Sequence, residues 1–212
     1  MALKTISQFK TALARGGARP NLFEVELGKF GGIGPNQAAG EGATTTTNAD
    51  SLGWNSATQK DFQFLCKATS MPTQTIGSVD VPFRGRILKV AGDRTFEPWT
   101  VTVINDENFS VRTAFENWGN RINHLSSGEG IVTPEQYMGS GTVKQLSRGV
   151  EQGESDKILQ QYMVQDIWPS EIGSIDLSYE SSDAIEEFTV TFQVQYMTIL
   201  GSGTETTIAG TP

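Results

Sequence analysis

The sequence predicts a mainly β protein with one flanking α-helix, which places it in the α+β class. Two segments, from Trp99 to Val103 and from Phe188 to Tyr196, alternate apolar and polar residues. This period is typical of strands with one buried and one solvated face. From Val111 to Ile122, apolar residues instead recur at spacings of four, three and four. That spacing predicts an amphipathic helix directly after the first of these strands.

The composition limits the classes of protein to consider. A chain of 212 residues with 37% hydrophobic residues can bury one sizeable core, so we expect a single domain over residues 1–212. Sixteen basic against 24 acidic residues give a net charge of -8, which argues against a high-affinity nucleic-acid-binding protein. Apolar runs stay well below the roughly 20 residues of a membrane span. We therefore expect a protein made in the cytoplasm, without stable membrane insertion.

The N-terminal arm, residues 1–20, is predicted to contain a short helix. Ile6, Phe9 and Leu13 lie at helical spacing before a Gly-Gly pair. Such a short helix is marginal alone, so we expect it to lean on another surface.

A strand is predicted from Asn21 to Leu27 and another from Asp61 to Ala68. Residues 28–60 between them are rich in Gly, Ala, Thr and Asn and read as a flexible loop inserted into a hairpin. Trp54 is the large apolar group near the end of this loop and could anchor it on a neighbouring surface. Cys66 lies in the apolar run FQFLCKA and reads as a small buried hydrophobic residue.

The segment from Thr75 to Ala91 has a broken strand pattern. Pro82 and Gly85 interrupt it, which favours an edge strand or an extended arm over a central strand. Its basic residues, Arg84, Arg86 and Lys89, admit two interpretations: contact with an acidic partner, or ordinary edge charges that discourage aggregation.

The remaining elements follow the same rules. Asn105 or Asp106 is expected to cap the helix, with Glu107 in its first turn. Residues 200–212 form a tail of turn-forming residues that we expect to fray. Strands are predicted at Gly141–Gly149, Lys157–Ile167, Ser174–Glu180 and Glu187–Ile199.

No grouping of residues predicts catalysis, a cofactor or a metal. One cysteine and one histidine, His124, cannot supply the three or four ligands of a zinc site within one chain. The Gly-Ser-Gly triplets lack the strand-elbow-helix setting of a nucleophile turn. Glu186 and Glu187 are adjacent in a strand start and point to opposite sides, so they cannot flank one substrate.

Four strings of the sequence resemble one known family. They are VAGDRTFEPWTVTVINDENFSVRTAFENW at Val90–Trp118, ARPNLFEVEL near the start, FLCKATSMP in the middle and DIWPSEIGSIDLSYES near the end. Together they are similar to the tail tube proteins of contractile-tailed bacteriophages. The resemblance implies an antiparallel β-sandwich or partial barrel that joins its neighbours in a ring-forming β-barrel. Six copies would close a ring, and rings would stack into a hollow conduit for the genome in the virion tail.

The same resemblance implies partners. These are further copies of the chain, the tail sheath protein, a tape-measure protein in the lumen, baseplate and tail terminator proteins, and DNA in transit without specific binding. Two alternatives stay open: a tube or tube-initiating baseplate component of another contractile injection system, and a small β-sandwich hydrolase or carbohydrate-binding module with exposed aromatic residues such as Trp54.

Three sets of residues are expected to matter in such a tube. Polar, uncharged side chains of the last strand are expected to face the lumen: Thr189, Thr191, Gln193 and Gln195. By position in the family pattern, the contact between stacked rings is expected at Met71, Gln74, Ile76, Val79, Asp80, Arg84 and Arg86. The core scaffold is expected at Trp99, Val101, Val103, Phe115 and Trp118.

Overall fold

The computed structural model describes residues 5–13, 17–28, 54–148, 158–180 and 183–200, and every structural statement below concerns these. Within them the chain forms, in order, α1 (Ile6–Ala12), β1 (Phe23–Gly28), α2 (Ser56–Leu65), β2 (Cys66–Thr69), β3 (Gln74–Phe83), β4 (Arg86–Phe96), β5 (Trp99–Ile104), α3 (Ser110–Ile122), a short 3-10 turn (Pro134–Gln136), β6 (Gly139–Leu146), β7 (Ile158–Ile172), β8 (Glu187–Gln193) and β9 (Tyr196–Leu200).

The main sheet is antiparallel, with strand order β1-β6-β7-β8-β5-β2 and β9 also paired to β7. The long strand β7 joins its two halves, because its first part pairs with β6 and β9 whereas its last part, from Trp168, pairs with β8. The halves face each other, since Gly141 of β6 lies against the indole of Trp99 in β5. The sheet does not close into a barrel, because β1 and β2 lie at its ends. The prediction of a mainly antiparallel β fold with a flanking helix is confirmed.

Two helices complete the core beside the sheet. Phe62 of α2 and Phe115 of α3 are fully buried, with ring centroids 5.9 Å apart, and Phe115 meets Phe192 of β8 at 5.8 Å. Trp54, only 5% exposed, packs on Phe115 at 5.2 Å. The expectation that Trp54 anchors a loop on a neighbouring surface is therefore wrong, because this indole belongs to the subunit's own core.

The strand predicted from Asp61 to Ala68 is wrong as far as Leu65, because α2 occupies Ser56–Leu65. The side chain of Asn55 caps the helix by accepting the backbone N–H groups of Ala57 and Thr58, both at 2.9 Å. Phe62 and Phe64 share a face in a strand, but a helix turns them to different sides, and Phe64 is 86% exposed. The loop predicted for residues 28–60 consequently ends before this helix, and residues 29–53 lie outside the described residues.

The start of α3 also differs from the prediction. The helix begins at Ser110, and Phe109 before it adopts a left-handed conformation with φ 54°. The Asp106 carboxylate accepts the backbone N–H of Ser110 at 3.1 Å and its hydroxyl at 2.9 Å. Asp106 thus stabilises the start of the helix, although the N-cap position itself is occupied by Phe109. Glu107 lies in the turn before the helix rather than in its first turn.

The last third contains two further differences. The predicted strand Ser174–Glu180 is wrong, because its described residues form no strand. The predicted strand Glu187–Ile199 is divided at Val194 and Gln195, since β8 pairs with β5 and the end of β7, whereas β9 turns back onto the beginning of β7. β6 and β7 match their predictions within a few residues except that β7 continues to Ile172. Residues 149, 157 and 201–212 of the predicted elements lie outside the described residues.

The predicted N-terminal helix is confirmed as α1. It begins with a capping box, in which the Thr5 hydroxyl accepts the Gln8 N–H and the Gln8 side chain accepts the Thr5 N–H. Its apolar side chains face solvent in the single subunit: Ile6 is 75% and Phe9 67% exposed.

Candidate assembly surfaces

The β3–β4 hairpin stands apart from the main sheet. Within the described part of the chain, these two strands pair only with each other. Their turn is formed by Arg84 and Gly85, with φ values of 45° and 80°. Two successive positive φ values are the signature of the tight turns that match the twist of a hairpin. The predicted extended arm is therefore a two-stranded hairpin.

One face of this hairpin is apolar and exposed. The register sets Val79 opposite Val90 and Val81 opposite Leu88, with Phe83 next at the tip. Side chains of these five residues, which we call the apolar hairpin face, are between 42% and 66% exposed. On the other face, Lys89 donates to Asp80 at 2.9 Å, beside Pro82 and Ile87. Contiguous apolar surface of this kind marks an interaction site in a soluble protein.

The residues expected to contact the next ring are distributed over both faces of the hairpin and its base. Gln74, Ile76 and Asp80 share one face of β3, and Val79 lies on the other. The remaining members are Met71 before β3, Arg84 in the turn and Arg86 at the start of β4. Sequence reasoning missed Leu88 and Val90, because it treated Thr75–Ala91 as one interrupted strand. The Arg84-Gly85 pair was the available turn signal.

A second surface is the outer face of β5 and β8. Thr189 and Thr191 lie opposite Thr102 and Thr100, and the hydroxyl oxygens of Thr100 and Thr191 are 3.5 Å apart. Gln193 continues the row, and its amide donates to the Ser170 hydroxyl at 3.3 Å. We call these six residues the threonine face. Gln195 does not share it, because it lies in the bend between β8 and β9.

Charge is confined to the borders of the threonine face. Lys67 forms an ion pair with Glu187 at one end of β8. Glu171 of β7 lies opposite Thr191 at the edge shared with β7. The alternation of β5 places Thr100 and Thr102 on its polar side, but their position beside Thr191 and Thr189 depends on a long-range pairing with β8 that the alternation does not predict.

The core scaffold residues all lie inside the subunit. Trp99, Val101, Val103, Phe115 and Trp118 are at most 1% exposed. Trp99 stacks on Phe192 at 5.3 Å, and its indole N–H donates to the Thr69 hydroxyl at 2.9 Å. The indole N–H of Trp118 donates to the Tyr137 carbonyl at 2.6 Å. These contacts hold the sheet and α3 together and leave the five side chains unavailable to a partner.

The open ends of the sheet form a third kind of surface. In the described residues, the outer edges of β1 and β2 have no strand partner. Exposed edges of this sort are templates for pairing with another chain. Together with the hairpin and α1, these edges are candidate surfaces for contact with another chain.

The described residues contain no cluster of three His, Cys, Asp or Glu side chains that could hold a metal ion. Burial raises the pKa of the Cys66 thiol to about 12, so the thiol is protonated and inert at neutral pH. None of the helices in the described ranges is long and apolar enough to cross a membrane. Trp54 is buried, so it offers no stacking surface for a carbohydrate.

Similar folds occur in chains of two solved contractile injection assemblies. A subunit in the cryo-EM structure of the anti-feeding prophage tube-terminating cap superposes with a TM-score of 0.54, at 14% identity, over 94% of this chain and 93% of that one. A subunit of the six-fold symmetrised anti-feeding prophage baseplate gives 0.52 at 14% identity, over 87% of this chain and 96% of that one. Identities this low establish the fold alone.

The family is established by sequence. The family model described as phage tail tube protein matches residues 18–199. The tail tube protein gp19 of Enterobacteria phage T4 is 30% identical over 183 residues, covering 84% of this chain and 90% of the relative. The chain therefore belongs to the phage tail tube protein family. It is a structural subunit of the tail tube of a contractile phage and a component of the virion tail.

Proposed function

We propose that copies of this chain close into rings of six, and that the rings stack into a hollow tube through which the genome passes. The observation that carries this proposal is the apolar hairpin face, which is exposed and which none of the described residues covers. The unpaired edges of β1 and β2 support it, because edge-to-edge pairing between neighbours would remove both. Contact between two different surfaces of identical subunits generates a ring when the rotation closes.

The proposed contact between rings is the β3–β4 hairpin, together with Met71 at its base. The apolar hairpin face would be buried against the adjacent ring, while the Asp80–Lys89 pair keeps the opposite face hydrated. Burying apolar surface stabilises an assembly by about 25 cal/mol per Å² removed from water, so burial of the apolar hairpin face would favour association.

The proposed lumen surface is the threonine face, with Gln195 at its border in the bend after β8. A conduit for DNA must not retain DNA, and each phosphate held by Lys or Arg would add affinity through counterion release. Hydroxyl and amide side chains avoid that attraction. Six subunits of net charge -8 give -48 per ring, which makes the whole tube repulsive to DNA.

The proposed partners follow from this assembly. The tail sheath protein would surround the tube, a tape-measure protein would occupy its lumen, and baseplate and tail terminator proteins would close its ends. The whole chain, residues 1–212, would act as one tail-tube domain and carry out no catalysis.

Negative-stain electron microscopy of the purified chain tests the proposal. Six-fold annular particles or hollow tubes are expected. Because the relatives are phage proteins, we expect these tubes to correspond to the tube of a phage tail. Subunits that remain monomeric at high concentration would contradict the proposal.

A further inference from the structure

α1 presents an apolar face that also carries a positive charge. Ile6, Phe9, Lys10 and Leu13 fall at positions i, i+3, i+4 and i+7, so they share one side of the helix. This side is exposed: Leu13 is 42% accessible and the other two apolar side chains are more so. The segment around it is basic throughout, because residues 1–23 contain four Lys or Arg and no Asp or Glu.

A hollow of about 610 Å³ lies between the end of β7 and the start of β8, lined by residues 174–179 and 184–187. Its volume falls in the range of roughly 300 to 1,000 Å³ typical of pockets that bind ligands. Leu177 and Ile185 in this lining are 80% and 72% exposed, and Tyr179 is fully exposed. Apolar side chains around a concavity are therefore left open to solvent, as the apolar face of α1 is.

The hollow is acidic. Asp176, Glu186 and Glu187 belong to its lining. Glu187 is paired with Lys67, and Arg112 donates to the Gly173 carbonyl beside the lining at 3.1 Å, so Asp176 and Glu186 carry the negative charge that an incoming cation would meet. Residues 158–200, which contain it, carry seven Asp or Glu and no Lys or Arg. Glu186 also accepts the side-chain amide of Asn105 at 3.0 Å, which fixes one wall of the hollow to the end of β5.

We propose that α1 of one subunit docks into this hollow of a neighbouring subunit, with its apolar residues against Leu177, Tyr179 and Ile185 and with Lys10 facing Asp176. Opposite charge and matching apolar surface favour this pairing, and each partner covers what the other leaves exposed. The two surfaces are different parts of one chain, so the contact is head-to-tail, as a ring or stack of identical subunits requires. The inference rests on the proposed assembly and adds the arm that links its subunits.

Cross-linking between two variants tests the contact. Phe9→Cys and Leu177→Cys proteins are mixed, assembled and treated with a short bifunctional maleimide, while the buried Cys66 thiol stays protonated. A covalent dimer containing one chain of each variant is expected. Leu125→Cys, at a position 93% exposed and outside the hollow, replaces Leu177→Cys as the matched control and should give no such dimer.

The double variant Phe9→Cys/Leu177→Cys distinguishes docking of α1 into a neighbouring subunit from docking within the same chain. A ladder of covalent oligomers supports docking into a neighbour. A cross-linked monomer, or no cross-link in particles that electron microscopy shows to be rings or tubes, would overturn the inference while leaving the proposed assembly intact. If the unmodified chain forms no rings at all, the proposed function itself fails.

Charge reversal gives an independent readout. Lys10→Glu should reduce the fraction of assembled subunits several-fold in sedimentation, and adding Asp176→Lys should restore it. Gln8→Glu adds negative charge to the opposite side of α1, retains a capping-box residue, and should leave assembly unchanged. Equal loss of assembly in Gln8→Glu and Lys10→Glu, without rescue by Asp176→Lys, would contradict the proposed pairing.

Discussion

A Cβ atom at Gly141 would lie 2.7 Å from Cζ3 of Trp99, closer than side chains approach in folded proteins. Gly141 belongs to β6 and Trp99 to β5, on facing halves of the sheet. The indole thus occupies the space that a side chain on β6 would need. Since Trp99 is itself held by Phe192 and Thr69, it has little freedom to move aside.

Replacing Gly141 with alanine should therefore destabilise the subunit. We expect a loss of about 1 to 3 kcal/mol in the free energy of unfolding, the usual cost of overpacking a core. Urea denaturation of the unassembled subunit measures it. Gly119→Ala in α3 is the matched control, because nothing lies within 4 Å of its added Cβ. That control should be neutral or stabilising by up to ~1 kcal/mol, since alanine favours helix.

Trp99→Ala should cost about 3 to 5 kcal/mol of folding stability, because it removes a large aromatic side chain from the centre of the core. Trp99→Phe keeps much of the apolar volume and removes the hydrogen bond to Thr69, so its loss should be smaller. The same urea experiment compares the two. A soluble Trp99→Ala protein that assembles and unfolds like the parent would show that this face of β5 is not core.

Phe83→Asp should block tube growth without unfolding the subunit. The side chain is 66% exposed on the apolar hairpin face, so a carboxylate there costs the monomer little but would be desolvated between rings. Ile87→Asp is the control, since this residue is 65% exposed on the opposite face of the same hairpin. Electron microscopy should show long tubes for Ile87→Asp and isolated rings for Phe83→Asp. Normal tubes from both would remove the apolar hairpin face from the ring contact.

Replacing Gln193 and Gln195 with lysine should slow DNA ejection in phage particles carrying the variant, because lysine would hold phosphates in the lumen. The control places the same change on the other half of the sheet, at Gln161 and Gln165 of β7, whose side chains point away from the core residue Val164. Ejection kinetics followed by fluorescence of released DNA measure the effect. Slower ejection from the control alone would assign the lumen to the other half of the sheet.

The buried thiol of Cys66 should make folding stability depend on pH in the alkaline range. Its pKa rises from 9.0 to about 12 on burial, so the folded state keeps a proton that the unfolded state releases. The contribution is fully present below pH 9.0 and is lost as the pH rises from there towards about 12. Unfolding free energies of the parent should therefore fall more steeply over this interval than those of Cys66→Ala. Parallel curves would show that the thiol is not buried in solution.

Elements with a clear period and a local cap were predictable. The alternating apolar residues of β5 and the apolar residues that α3 places on one side are buried, because a strand or helix that borders one core must place its apolar residues on that side. The segment Asp61–Leu65 fits a strand period through Phe62 and Phe64 but belongs to α2. The cap at Asn55 was present in the sequence, but Trp54 and Phe62 are recognisable as core only once α3 is placed against them.

The candidate assembly surfaces were predictable only in part. The extended arm was indicated by Pro82 and Gly85, but its apolar face depends on the register of two strands. In the segment Ser174–Glu180, Leu177 and Tyr179 follow a strand period, but the segment pairs with no strand of the described sheet. The continuous alternation from Phe188 to Tyr196 gave no sign of the bend at Gln195, because that bend reflects which part of β7 each strand pairs with.

The sequence by itself determined the class of the chain, its family and the identity of its central strand and helix, because these depend on local period and on recognisable strings such as that from Val90 to Trp118. Only the tertiary structure decided that Trp54 is core, that β3 and β4 form a hairpin with one exposed apolar face, and that Gly141 lies beneath Trp99. Each of these depends on residues distant in sequence meeting in space, and the free energy of such contacts comes from packing and pairing that no local pattern specifies.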